Sequence, residues 1–350
     1  MIDFRYHLVS IVAVFLALAV GVVLGSATLN GPITKELRKS VVVLRHEEDN
    51  QISLNQSLRH QNKSDQQFAQ AAGPVLLNHL LASERVVLVT APGAPSDVTN
   101  GVTQALTQAG AKVTGQVNVQ AMFFDPKSTI RDALSLLTQR LTPSGVSLHS
   151  GTVQSQAAQL IASAILTHDG IGQPVPGSQD SAGAAILSGF ASGGFLSVSG
   201  PSIVRATLAV VIIPASPPAA NDSSQTSQGL VTLSKQLNGA AQATVVTGSM
   251  SGSGPGSAIE LIRSASNAGG LSTVDNADTT SGQIVVAQAL YELLVKAKPG
   301  SYGTGSGASA VGPSPMPTPS PSASPSSTAG GVAVAQRTGR PSASPSASRS

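Results

Sequence analysis

The sequence predicts an α/β protein held by a single N-terminal transmembrane helix, with a helical stalk and a disordered Pro/Ser-rich C-terminal tail. Its sheet is expected to be mostly parallel, with helices on both faces. Three observations carry this reading. An uncharged apolar run covers Leu8 to Leu29. Short β-branched runs alternate with helical patterns between residues 84 and 300. Apolar content then collapses after Gly300. The chain divides into a short N-terminal segment (1–7), a transmembrane helix (8–29), a coiled-coil-like stalk (30–72), a soluble α/β domain (84–300) and a tail (301–350).

The apolar run is long enough to cross a hydrocarbon core, which takes about 20 residues. Asp3 and Arg5 precede it, and Lys35, Glu36, Arg38 and Lys39 follow it. A cleaved signal peptide is the rival reading, and Gly25, Ser26 and Ala27 would admit cleavage. The short, weakly basic lead and the length of the run favour an anchor. The Lys/Arg count places the C-terminal side in the cytoplasm. The Pro/Ser tail, typical of extracytoplasmic stalks, points the other way, and the main domain is read as extracytoplasmic. Ala13, Ala17, Gly21 and Gly25 recur every four residues on one helix face, with Gly21 and Gly25 forming a GxxxG pair. Such small residues let helix backbones approach in lipid, so this face is a candidate homodimer or oligomer seam.

Glu36 to about Gln70 lacks Gly and Pro. Positions 37, 41, 44, 48, 51, 55 and 58 follow a heptad alternation. Leu37, Val41, Leu44 and Leu58 are apolar there, whereas Glu48, Gln51 and Asn55 interrupt it. A parallel coiled coil and a lone solvated helix both fit.

The α/β domain opens with a strand at Arg85–Thr90, broken by Pro92, Gly93 and Pro95. A helix over Asp97–Ala109 follows, with Ser96 or Asp97 as N-cap and Gly110 as stop. A second strand covers Lys112–Val119, giving a parallel pair with a crossover helix. Helices are then expected at Thr129–Leu141, Ser155–Thr167, Ser181–Ala191, Gln228–Leu237, Ser257–Asn267 and Gln283–Val295. Strands are expected at Phe195–Val198, Leu208–Ile213, Ala243–Thr247 and Leu271–Val274. The apolar strands suit a sheet covered on both faces. After Gly300, runs such as S-P-S-P cannot offset their ordering entropy.

Composition excludes several functions. Charged residues are 11% of the 350, well under the roughly 25% of ordinary soluble proteins. The net charge of +3 is scattered, and Arg337, Arg340 and Arg349 lie in the tail, so no basic face for nucleic acid forms. With no Cys, thiolate metal sites, disulfides and thiol redox chemistry are ruled out.

No catalytic constellation is visible, and the chain is read as a non-enzyme. Gly248, Gly252, Gly254 and Gly256 sit between a strand and a helix, where a phosphate loop would lie. They fit neither GxGxxG nor GxxxxGK[ST], so a flexible connection is expected. There is no G-x-S-x-G elbow. Asp275 and Asp278 are expected to cap a helix. His7, His46, His60, His79, His149 and His168 show no H-x-H or H-x-x-x-H spacing, and Met1, Met122, Met250 and Met316 are isolated. No local metal cluster is seen; a site shared by His46 or His60 of paired stalks is the remaining option.

Met1 to Ser26 (M-I-D-F-R-Y-H-L-V-S-I-V-A-V-F-L-A-L-A-V-G-V-V-L-G-S) closely resembles the opening of the actinobacterial family named after the mycobacterial copper transport protein B. S-T-V-D-N (Ser272–Asn276), A-L-Y-E-L-L (Ala289–Leu294) and P-G-S-Y-G-T-G (Pro299–Gly305) extend the resemblance to Gly305. It implies an envelope protein of the cell membrane in copper homeostasis or transport, as an exporter or pore component, with copper as its cargo. It also implies an extracytoplasmic main domain and a second envelope membrane protein as partner. The alternative function is a non-enzymatic scaffold that docks such a partner in envelope assembly or division. One helix cannot enclose a pore, so transport would need several chains or a partner channel.

Overall fold

The computed structural model describes residues 4–29, 32–144, 147–167, 180–200, 203–215, 223–265 and 269–314. The tail beyond 314, Asp3 and His168 lie outside the described residues. α1 (Phe4–Leu29) contains the apolar run, and its stretch Arg5–Gly25 is long and apolar enough to cross a membrane. α2 (Pro32–Leu77) is a 46-residue helix. It runs past the expected stalk end at residue 72 and into the body, where Leu77, Leu80 and Leu81 are buried. Gly73 brings its backbone against Ile284.

The body holds strands β1 (Arg85–Thr90), β2 (Lys112–Val119), β3 (Leu196–Ser199), β4 (Leu208–Ile212), β5 (Ala243–Thr247), β6 (Ser272–Val274) and β7 (Ser301–Tyr302). They form one sheet in the order β3-β2-β1-β4-β5-β6-β7. Only the β2–β3 pair is antiparallel among the described strand pairs. The helices are α3 (Ser96–Gln108), α4 (Ser128–Leu141), α5 (Val153–Ile165), α6 (Ser181–Ser192), α7 (Ser223–Ala240), α8 (Ala258–Ser264) and α9 (Thr280–Lys296).

Strand side chains alternate between two cores, as period 2 requires. Val87 and Val89 join Leu134, Ile161, Phe190, Leu233 and Ile259, beneath α4 to α8. Val86 and Leu88 join Leu77, Val102, Leu106 and Leu290, beneath α2, α3 and α9. Because both faces are covered, β1, β4 and β5 are almost wholly buried.

Four sequence expectations need correction. Pro95, not Ser96 or Asp97, occupies the N-cap of α3, with no side-chain cap bond. α5 starts at Val153, because Thr152 accepts a hydrogen bond from the Ser155 amide and sets the first turn there. The helix expected to reach Asn267 ends at Ser264; residues 266 and 267 lie outside the described residues. The folded body also continues beyond residue 300, since Ser301–Tyr302 pair with β6.

That last strand is attached against the usual hand. β4–α7–β5 and β5–α8–β6 cross on one face of the sheet. β6–α9–β7 continues in the same direction but crosses on the other face. Its hand is therefore opposite to the right-handed rule for parallel crossovers. A two-residue strand in this position requires side-chain fastening.

Candidate functional site

The carboxyl ends of parallel strands are the usual place for a ligand, above all where the strand order reverses. Here that point lies between β1 and β4, and it is bridged. The Ala215 amide donates to the Gly93 carbonyl at 3.3 Å. The Gly-rich segment after β5 is likewise folded shut, rather than a flexible connection. Ser251 Oγ donates to the Ala215 carbonyl (2.8 Å), and Ser253 Oγ donates to the Ser249 carbonyl (2.8 Å). A Cβ on Gly252 would stand 2.1 Å from the Pro214 carbonyl oxygen, so only glycine fits. The hydroxyls a phosphate would need are spent on backbone carbonyls, and Ser257 caps α8 by accepting from the Glu260 amide.

The most concentrated polar cluster sits at the ends of β6 and β7. Asp275 follows β6 and is fully buried; Arg263, in the last turn of α8, is nearly so. Arg263 Nη1 donates to Asp275 Oδ2 at 2.7 Å. The same guanidinium donates to Thr273 Oγ1 (2.9 Å), the Ser306 carbonyl (2.9 Å) and the Tyr302 carbonyl (2.7 Å). The Asp275 carboxylate also accepts from the Thr304 amide (2.8 Å) and the Gly305 amide (3.0 Å). Asp275 therefore does not cap a helix, and its expected role is corrected. Thr279 caps α9 by accepting from the Gly282 amide, and Asp278 is exposed.

Beside this cluster the Tyr302 hydroxyl donates to Glu292, a buried carboxylate on α9 that Lys296 also approaches. Burial, followed by the Glu292 charge, pushes the Tyr302 hydroxyl well above its ordinary range. Gly303 has φ +127°, and a Cβ there would stand 2.0 Å from Asp275 Oδ1. The three motifs that extend the family resemblance to Gly305 thus meet. Asp275 of S-T-V-D-N and Glu292 of A-L-Y-E-L-L hold P-G-S-Y-G-T-G onto the sheet edge. A buried pair with every acceptor satisfied specifies one arrangement, whereas a half-satisfied one is costly.

The other residues singled out in the sequence stay apart. Ala13, Ala17, Gly21 and Gly25 share one side of α1, and nothing described lies within 4 Å of a Cβ placed on Gly21 or Gly25. His46 and His60 are exposed on α2, and His79 and His149 are exposed on loops. Among the described residues, no three His, Asp or Glu side chains gather as a metal site would require. One further ion pair went unforeseen: Asp180 caps α6 and meets Arg205, whose guanidinium bond, chiefly, holds the carboxyl below its usual value.

Comparison with known proteins finds relatives along most of the chain. Copper transporter MctB of Mycobacterium tuberculosis (strain ATCC 25618 / H37Rv) is 28% identical over 311 residues, covering 87% of this chain and 97% of that protein. Copper transporter MctB of Mycobacterium leprae (strain TN) is 30% identical over 313 residues, with the same coverage. Over residues 1–313 the sequence also matches the family described as "Copper transport outer membrane protein, MctB". The matched span runs from α1 through the Asp275–Arg263 cluster and past β7 to residue 313, and the chain belongs to the MctB family.

Proposed function

We propose that this chain acts in copper transport, as an export or pore component anchored by α1, with its α/β body on the extracytoplasmic side. The observation that carries this reading is the match to the copper transport family along nearly the whole chain. A single span cannot line a pore, and an open sheet edge cannot face lipid. Passage of copper therefore calls for several α1 helices packed through Ala13, Ala17, Gly21 and Gly25, or for a separate channel protein. Copper is cargo in this reading. Cells lacking the chain should accumulate copper and lose tolerance to it; unchanged copper content and tolerance would remove the proposal.

A second reading is favoured by the use of the motifs. Asp275, Arg263, Glu292 and Tyr302 fasten the fold and face no open cleft, which suits a non-enzymatic envelope scaffold that docks a second membrane protein. Cross-linked membranes that yield the same partner in repeated captures would support it. Captures with no reproducible partner would count against it.

A further inference from the structure

We propose that residues 331–336 of the C-terminal tail add to β3 as a further strand and close that edge of the sheet. β3 is the outermost strand on its side, and among the described residues nothing pairs with its outer edge. The Gln120 amide donates to the Phe195 carbonyl, and the pairing continues in that register to Gln116 and Ser199. In an antiparallel pair, residues that bond the partner strand alternate with residues that do not. Ser197 and Ser199 therefore bond β2, and the N–H and C=O groups of Leu196 and Val198 point outward. The opposite edge of the sheet is capped. There the Gly303 amide donates to the Ala310 carbonyl (3.0 Å), and the Ser309 amide donates to the Ser301 carbonyl (2.7 Å). A bare strand edge is a template for pairing with another chain, and native proteins blunt or cover it.

Beside the β3 edge runs a groove of about 490 Å³, lined by Ala184, Leu187, Ser188 and Ala191 of α6, by Val198 and by Ile203. Val198 is 39% exposed. An edge strand with a groove alongside takes up an extended segment, main chain on main chain, with alternate side chains in the groove. The sequence after Ser314 holds one segment suited to this. Pro recurs at 315, 317, 319, 321, 325, 341 and 345, and Pro cannot donate to a ladder. The long Pro-free stretch 326–340 contains the alternation G-V-A-V-A-Q at 331–336, which sends Val332 and Val334 to one face. The described chain ends near β7, on the far side of the sheet. Residues 315–331 reach about 55 Å when extended, against about 29 Å across the seven strands. Size decides between a tethered and a separate occupant. β3 is 4 residues long, whereas a stable complex of separate proteins takes about 20–30 residues a side. A tethered segment is held at an effective concentration of order mM, so a short ladder suffices for it.

Amide hydrogen exchange of the full-length protein in detergent micelles reads this edge directly. The parent is compared with a chain ending at Ala329, a chain ending at Arg340, and the double variant Ala333→Pro with Val334→Pro. The double variant removes a ladder donor in either register. The proposal predicts protected Leu196 and Val198 amides in the parent and in the chain ending at Arg340. Their exchange should quicken at least about tenfold in the chain ending at Ala329 and in the double variant. Exchange in β1 and β4 should stay unchanged, which separates loss of the added strand from loss of stability. Equal exchange at Leu196 and Val198 in the parent and in the chain ending at Ala329 overturns the proposal, whether the shared rate is fast or slow. Protection that persists without the tail and falls on dilution assigns the edge to a second copy, and likewise overturns the proposal.

Discussion

Replacing Asp275 with Ala should destabilise the body more than any other single change at the sheet edge. The substitution leaves the buried Arg263 guanidinium without its carboxylate, and both groups are almost fully screened from water. Breaking a buried pair from one side costs about 3–5 kcal/mol. The Thr304 and Gly305 amides lose their acceptor as well, and each orphaned buried amide adds about 1–3 kcal/mol unless water reaches it. Because the segment after β7 can loosen and admit water to both amides, we keep the pair contribution alone, about 4 kcal/mol. For a body of this size that corresponds to a fall in Tm of roughly 8–16 °C. The assay is thermal unfolding of the full-length protein in detergent, with amide exchange at residues 303–306 as a local readout. Replacing the pair together (Arg263→Met with Asp275→Leu) should recover much of the loss, since matched apolar groups tolerate such sites. A Tm within about 2 °C of the parent for Asp275→Ala would refute the claim that this pair fastens β7.

Other expectations follow from the same geometry. Tyr302→Phe removes the donor to buried Glu292 and should cost about 1.5–3 kcal/mol by denaturant unfolding. The raised Tyr302 value also sets an alkaline limb. Its stabilisation is present below the ordinary tyrosine value of 10.0 and is lost as pH rises through the higher folded value. Stability of the parent should therefore fall as pH rises above about 10, toward the higher folded value, and more gently in Tyr302→Phe. Gly303→Ala places a Cβ on the Asp275 carboxylate at an unfavourable φ, and its unfolding midpoint should reveal a loss of at least about 2 kcal/mol. Gly21→Ile together with Gly25→Ile should lower the oligomeric fraction in native membranes measured by cross-linking, while leaving the unfolding midpoint of the body unchanged.

Much of the fold is legible in the sequence because its strands are short β-branched runs bounded by Gly, Pro and caps. β1, β2 and β5 begin and end at the residues the pattern indicates. β7 escaped because Ser301–Tyr302 is two residues long among glycines, with no periodicity to detect. The cluster around Asp275 escaped for a different reason. A lone Asp close before a helix looks like a cap, and its true partners are Arg263 on the preceding helix and amides about 30 residues ahead in the chain. Only tertiary structure brings these together. A signal was nonetheless present. S-T-V-D-N and P-G-S-Y-G-T-G belong to one resemblance, and the Gly303 position between Tyr302 and Thr304 marks a close backbone approach. The glycine loop after β5 shows the converse, since its composition suggested slack while its Ser side chains close it.

Cell-associated copper in a deletion strain, complemented either with the whole chain or with a secreted form lacking residues 1–29, bears most directly on the account. The account predicts copper accumulation on deletion, rescue by the whole chain, and no rescue by the unanchored body. Equal copper in all three strains, or full rescue by the unanchored body, would contradict it.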